Sequence, residues 1–111
     1  MTVVLEPQTY VISADDVELV SIDYTEHLDG SEVLTGTPTV TESSGNATLA
    51  NKQVSSATYV DKDSGDTVAI GKAVQFSFTS ATAATYTITI TVSTDASIAR
   101  TFKRNIVLTV D

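Results

Sequence analysis

The stretch TYTITITV at residues 85–92 alternates without interruption between apolar residues and threonine. Such a period of two places successive side chains on opposite faces of an extended chain, so the stretch predicts a β-strand with one buried and one polar face. The apolar set is Tyr86, Ile88, Ile90 and Val92, and the polar set is Thr85, Thr87, Thr89 and Thr91.

The same spacing recurs along the chain, whereas the spacing of three and four that marks an amphipathic helix does not. Short runs rich in Val, Ile, Thr, Tyr and Phe are separated by turn signals such as LDGS, SSGN and DSGD. This pattern predicts an all-β, antiparallel sandwich of about 7–9 strands. The predicted strands are 9–13, 17–24, 33–41, 47–50, 54–60, 66–70, 73–79, 85–93 and 99–110.

Alternation also indicates which side chains are buried. In strand 17–24 the inward set is either Val20, Ile22 and Tyr24 or the opposite parity, with a bulge near Val20 as a further alternative. Pro38 lies inside a strand pattern, which predicts that strand 33–41 is an edge strand or a bulged one.

The last strand has one charged residue on its apolar side. Phe102, Ile106, Leu108 and Val110 share a face, and Arg104 falls in their parity. The guanidinium of Arg104 therefore either lies beyond the covered part of the sheet, extends to the surface or is paired with an acid.

With 111 residues the chain predicts one domain with a single core. We assign the sandwich to residues 9–111. Residues 1–8 are either the domain's own first edge strand or an arm that adds to a neighbouring sheet, in which case Val3, Val4 and Leu5 are its anchors.

The net charge of −8 argues against nucleic acid as a partner. The acids are unevenly placed, because residues 1–50 carry nine of them and no Lys or Arg, while Arg100, Lys103 and Arg104 crowd into five residues. Either these acids and bases meet within one sandwich or are solvated, or the acidic flank of one copy faces the basic strand of the next.

The chain contains no cysteine, and its start shows neither a signal peptide nor an apolar run long enough to span a bilayer. A β-rich domain of this composition fits synthesis in a reducing cytoplasm without export, and we expect no membrane partner.

Residues that carry chemistry are scarce. DKDSGD at 61–66 approaches a calcium loop but has its glycine one position early, so a hairpin turn at Ser64 and Gly65 explains it better. His27 is the only histidine, which leaves a triad or a metal site without its further members. We therefore expect no catalytic residues, no metal, no cofactor and no enzyme activity.

Tyr86 stands at the head of its strand, with apolar Ile88 two positions later. This arrangement is typical of the tyrosine corner of immunoglobulin-like sandwiches, in which the hydroxyl of a tyrosine near the start of strand F bonds to nearby backbone. It predicts that 85–93 is strand F and 99–110 is strand G.

The stretch SIDYTEHLDGSEVL resembles the N-terminal part of small immunoglobulin-like structural proteins of tailed bacteriophages, described as fibre-tail adaptor-like or decoration-like. The closing strand RTFKRNIVLTV is similar to the end of that family, while residues 42–70 match it poorly and aromatic positions that are often Trp hold Tyr24 and His27 here. The matching positions are Asp23, Tyr24, His27, Leu28, Asp29, Gly30, Glu32 and Val33.

The resemblance implies a non-enzymatic protein of the virion, joining neck or tail and fibre components through homo- and hetero-oligomeric contacts. Capsid decoration and a carbohydrate- or cell-surface-binding adhesive domain are the alternatives. On this view Thr87, Thr89, Arg100, Lys103 and Arg104 are candidate interaction residues, with other phage virion proteins and further copies of the chain as partners.

Overall fold

A computed structural model describes residues 2–3, 9–61 and 65–111, with the side chains of residues 2, 3, 9 and 10 left aside. Ten strands and one 3₁₀ turn, Thr25–His27, are formed by these residues. The strands are β1 Thr2–Val3, β2 Thr9–Ile12, β3 Glu18–Asp23, β4 Leu34–Glu42, β5 Thr48–Val54, β6 Tyr59–Val60, β7 Thr67–Val68, β8 Ala73–Thr79, β9 Ala84–Thr94 and β10 Thr101–Val110.

The long strands form two four-stranded sheets. The first sheet has the order β1-β3-β8-β5 and the second has the order β2-β10-β9-β4, while β6 and β7 pair as a separate hairpin. These orders are those of the A-B-E-D and A′-G-F-C sheets of an immunoglobulin-like sandwich, with the first strand divided between the two sheets. The predicted fold class is therefore confirmed, and β9 and β10 occupy the places of strands F and G.

The core lies between the two sheets and contains the side chains that alternation predicted, together with Ile12, Leu34 and Val40. Val20, Ile22 and Tyr24 are fully buried, whereas Val17 and Leu19 of the opposite parity are 71% and 54% exposed. The predicted faces of β9 and β10 are buried as well, and so is one face of β8. The residues are Val74, Phe76, Phe78, Tyr86, Ile88, Ile90, Val92, Phe102, Ile106, Leu108 and Val110.

Strand β4 is both an edge strand and an irregular one. It pairs with β9 alone, and its register shifts between Thr35 and Thr39. Pro38 lies in this interval and Gly36 has a φ of 76°, which confirms the prediction made from the proline.

In the first sheet the alternatives for strand 17–24 are resolved. The pairing of β3 with β8 is continuous from Glu18 to Asp23, so no bulge occurs near Val20. The boundaries expected for the next strands were wrong, because β5 runs from Thr48 to Val54 and, of residues 55–60, only Tyr59 and Val60 form a strand. The pairing of β5 with β8 is interrupted between Ala50 and Gln53, where Asn51 adopts a φ of 55°.

The remaining expectations concern the hairpin and the start of the chain. Tyr59 and Val60 pair antiparallel with Val68 and Thr67, which confirms a hairpin, while Ser64 of the predicted turn lies outside the described residues. Near the start, Thr2 and Val3 pair in parallel with Ser21 and Ile22 of β3. Val4 and Leu5 lie outside the described residues, and so does Asp63 of the stretch DKDSGD, which approaches a calcium loop.

Candidate interaction surfaces

The loop between β3 and β4 contains the residues on which the phage resemblance rests, and several hydrogen bonds hold it in place. Asp23 begins it by accepting hydrogen bonds from the backbone N–H and the hydroxyl of Thr25 through one carboxylate oxygen. Further along, the backbone N–H of Glu32 donates to the carbonyl oxygen of Asp29 at 2.9 Å, and the backbone N–H of Asp29 donates to the Glu32 carboxylate at 3.1 Å. These bonds close the loop locally.

Two cations tie this loop to the other strands. The guanidinium of Arg100 pairs with the carboxylate of Glu32 and donates to the carbonyl oxygen of His27 at 2.8 Å. The buried ammonium of Lys72 donates to the carbonyl oxygens of Gly30 and Glu32. At the end of the loop the backbone N–H of Val33 donates to the Asp95 carboxylate at 2.8 Å.

We call the β3–β4 loop, with its contacts to Arg100 and Lys72, the clamped loop. The contact between Arg100 and Glu32 shifts the pKa values of both groups. The hydrogen bond from Arg100 lowers the pKa of Glu32 from its usual 4.5 to about 2, helped by bonds from the Thr94 side chain and the Asp29 backbone. The same contact with Glu32 raises the pKa of Arg100. Arg100 is therefore engaged inside the domain, so for this base the intramolecular alternative holds.

An aromatic cluster lies beneath the loop. The rings of Tyr24 and Phe102 stack at 5.7 Å, and the His27 ring lies 6.3 Å from Phe102. The guanidinium carbons of Arg100 and Arg104 lie 5.2 and 5.4 Å from the centroid of the Phe102 ring. Arg104 thus extends over a core aromatic ring, which accounts for its place in the apolar parity of β10.

The start of β9 has the geometry of a tyrosine corner. The hydroxyl of Tyr86 donates to the carbonyl oxygen of Thr82 at 2.8 Å and lies 2.7 Å from the Ser80 hydroxyl. Tyr24, by contrast, has a buried hydroxyl with no hydrogen-bond partner in the described part of the chain, and burial raises its pKa to about 12.

The outer face of the second sheet is lined mainly by hydroxyl side chains, and we call it the threonine face. Cross-strand register brings the hydroxyl residues of β4, β9 and β10 together on this face. Asn105, Val107 and Lys103 of β10 lie between them, and Val11 of β2 lies beside them. The hydroxyl residues are Thr35, Thr39, Thr41, Thr85, Thr87, Thr89, Thr91, Ser93, Thr101 and Thr109.

Several of these hydroxyls are already bonded across strands. Thr89 donates to the Asn105 side-chain oxygen at 2.8 Å, and the Ser93 and Thr101 hydroxyls lie 3.1 Å apart. Among the outward side chains of these strands that the structure describes, Lys103 carries the only charge. A partner could therefore cover this face at a small desolvation penalty.

The predicted interaction residues are thus spread over different surfaces. Thr87, Thr89 and Lys103 lie together on the threonine face, with Thr87 and Lys103 exposed. Arg100 and Arg104 lie around Phe102 at the end of the sandwich. The participation of Val107 and Asn105 was missed, although their odd positions in β10 could have placed them beside the threonines.

Exposed apolar side chains mark the same end of the sandwich as the clamped loop. Ile98, in the β9–β10 connection, is 86% exposed, and Ile70, between β7 and β8, is 55% exposed. Over the described residues, no group of three or more His, Asp or Glu side chains could hold a metal ion, and no helix could span a membrane.

Comparison with known proteins yields no matching family model and no matching curated sequence. Among solved structures, the chain is similar to the cysteine protease inhibitor EhICP2 from Entamoeba histolytica, with a TM-score of 0.53, 8% identity, and coverage of 99% of this chain and 93% of that one. Amebosin, known from a solution structure, aligns over 99% of this chain and 96% of its own with a TM-score of 0.42 and 11% identity. At 8% identity the similarity to EhICP2 supports the immunoglobulin-like sandwich and nothing further.

Proposed function

We propose that the domain is a non-enzymatic structural module of a tailed-phage particle, an immunoglobulin-like unit that joins neck or tail and fibre components through contacts with other virion proteins and with its own copies. The observation that carries the proposal is the threonine face, a wide sheet surface with one charge in a protein whose net charge is −8. A surface of this kind suits contact with another protein, since the outward side chains of its described strands include no carboxylate.

The clamped loop supports the same proposal. The residues on which the resemblance rests hold the loop in one conformation, through Asp23, Glu32 and the aromatic contact of Tyr24 with Phe102. A loop fixed in this way loses little conformational entropy when a partner binds it, which favours reproducible assembly. Capsid decoration would use the same features and differs only in the location of the partner.

The adhesive alternative has less support. Sugar-binding surfaces present exposed aromatic rings, and the described Phe and Tyr side chains of this domain are buried or half-buried. Tyr59 is half-buried with its hydroxyl enclosed, and the side chain of Tyr10 is not among the described ones.

A second candidate function is the inhibition of a cysteine protease, the activity that the name of EhICP2 states for that protein. The similarity of fold is no evidence for this activity, because the two chains are 8% identical. The exposed side chains of Ile98 and Ile70, on two neighbouring connections at the clamped end, favour it, because a rigid end with protruding apolar residues can enter a cleft.

The proposal is tested by locating the chain in particles. Particles produced by a culture that carries the gene are purified on a density gradient and labelled with antibodies raised against the purified domain. We expect the chain to co-purify and the label to lie at one structural position. Absence of the chain from purified particles, together with binding on a glycan array or inhibition of papain, would overturn the proposal in favour of the corresponding alternative.

The threonine face is tested by a matched pair of variants. Thr87→Lys introduces a charge on the threonine face, and Thr48→Lys introduces the same charge at an exposed strand position on the other sheet. Both should fold, and only Thr87→Lys should fail to enter particles. Equal incorporation of the two variants would show that the threonine face is merely solvated.

A further inference from the structure

The charge distribution limits how two copies of this chain can meet. Each copy carries a net charge of −8, so random approach is repulsive. On the threonine face, the outward side chains of the described strand residues include one base, Lys103, and no acid. We propose that two copies pack threonine face against threonine face, about a two-fold axis level with Val107. This inference deepens the proposed function and rests on its premise that the domain acts through contacts between subunits.

The register of β10 supplies the charge complementarity. Lys103 precedes Val107 by four residues and Asp111 follows it by four, so both share its parity. Lys103 is exposed on the threonine face. Asp111 is also exposed and directly follows Val110, which faces inward. The backbone N–H of Asp111 donates to the carbonyl oxygen of Ile12, so the pairing of β10 with β2 continues to this residue. Alternation therefore turns Asp111 to the same side as Lys103.

The proposed two-fold axis lies between the two facing sheets and runs perpendicular to the strands. It places β10 of one copy over β10 of the other, with the two strands running in opposite directions. Each Lys103 then lies opposite the partner subunit's Asp111, about 13 Å from the axis at a rise of ~3.3 Å per residue. Packed sheets cross at about 30°, which displaces the two residues sideways by about 7 Å, and the flexible stem of a lysine can span this distance. The arrangement forms two equivalent ion pairs, one at each end of β10.

The centre of the proposed interface is uncharged. Val107 lies beside Thr87 of β9 in the sheet register, and Asn105 accepts the hydrogen bond from Thr89 next to it. Two copies would thus bring together apolar and hydroxyl groups whose polar atoms are partly satisfied already. Strands β4, β9 and β10 have nine to eleven residues and β2 has four, so at a spacing of ~4.8 Å the sheet covers about 540 Å² per copy, the low end for specific interfaces. We therefore expect a weak dimer, with a Kd on the order of 10 µM.

The test is a charge exchange followed by sedimentation equilibrium over a range of protein concentrations. Lys103→Asp and Asp111→Lys should each weaken dimerisation on the order of tenfold, because each replaces two attractions by two repulsions. The double variant Lys103→Asp/Asp111→Lys should recover the original Kd. Within one chain the two residues are ~26 Å apart, well beyond the ~8 Å over which charges interact at physiological ionic strength, so recovery reports contact between chains.

A third variant examines the axis. Val107→Lys should abolish dimerisation by placing two ammonium groups face to face, whereas Thr48→Lys on the other sheet should leave the Kd unchanged. Circular dichroism and thermal unfolding of each variant verify folding.

Two results overturn the inference. A chain that stays monomeric at every concentration has no such interface, and a dimer in which the double variant fails to recover has a different register. These results are independent of the particle experiment, since a chain can enter particles as a monomer and a dimer can form outside them.

Discussion

Arg100 and Glu32, 68 positions apart in the sequence, form an ion pair that closes the β3–β4 loop onto the start of β10. The pair is asymmetric, since the Glu32 carboxylate is 4% exposed and the Arg100 side chain 42%. The loop conformation thus depends on a buried acid held by a base that reaches in from the surface.

This asymmetry predicts a dependence of stability on pH. The pKa of Glu32 is lowered from 4.5 to about 2, so the ionised form is favoured in the folded state. The resulting stabilisation is fully present above about pH 4.5 and is lost as the pH falls toward 2. Thermal unfolding between pH 7 and 2 should show this loss in the natural protein and a shallower one in Glu32→Gln. The matched control is Glu26→Gln, which removes an exposed acid of the same loop; if it flattens the profile equally, the Arg100 contact is not the cause.

The two buried tyrosines should respond in opposite ways to the loss of a hydroxyl. Tyr86→Phe removes the donor to the Thr82 carbonyl oxygen and should destabilise the domain by about 1–2 kcal/mol, lowering the Tm by on the order of 5 °C. Chemical unfolding in urea measures the difference, and an unchanged midpoint would show that the corner contributes nothing.

Tyr24→Phe removes a hydroxyl that is buried without a described hydrogen-bond partner, so its effect should be neutral or stabilising. Absorbance titration gives an independent readout, because burial raises the Tyr24 pKa from 10.0 to about 12. One tyrosine should ionise late in the natural protein, and this late step should be missing from Tyr24→Phe. A clear loss of stability would indicate an ordered water on that hydroxyl.

Gly71 should be intolerant of alanine for two reasons. Its φ is 80°, and an added Cβ would lie 3.0 Å from the Cβ of Val33. We expect Gly71→Ala to cost about 1–3 kcal/mol. Gly30→Ala is the control, because a Cβ there has no atom within 4 Å, and its Tm should hardly change. Equal Tm values for the two variants would contradict the close approach of Gly71 to Val33.

Much of the fold could be predicted because its signals are local. The unbroken alternation of residues 85–92 fixes a strand and its buried face, and Pro38 alone indicates an irregular edge. The segment from Thr48 to Val54 was assigned poorly, since its Ala, Asn and Lys residues give no alternation and Asn51 interrupts the ladder with a positive φ.

The contacts of the loop were beyond prediction for a different reason. Nothing near Glu32 in the sequence indicates Arg100 or Lys72, and which of many acids meets which base depends on strand register across the sandwich. The threonine face lies between these cases. Its row on β9 is evident from the alternation, but its breadth becomes visible only when β4 and β10 are placed on either side.

The division of the first strand has a mechanical consequence. Strand β2 runs parallel to β10, with Thr9 opposite Val107 and Ile12 opposite Val110. A pull between the chain that enters β2 and the chain that leaves β10 acts along both strands in opposite directions. The hydrogen bonds of this ladder are then loaded together in shear, whereas the antiparallel hairpin of β9 and β10 would peel open one rung at a time. Under such a pull the pairing of β2 with β10 would therefore resist as one unit.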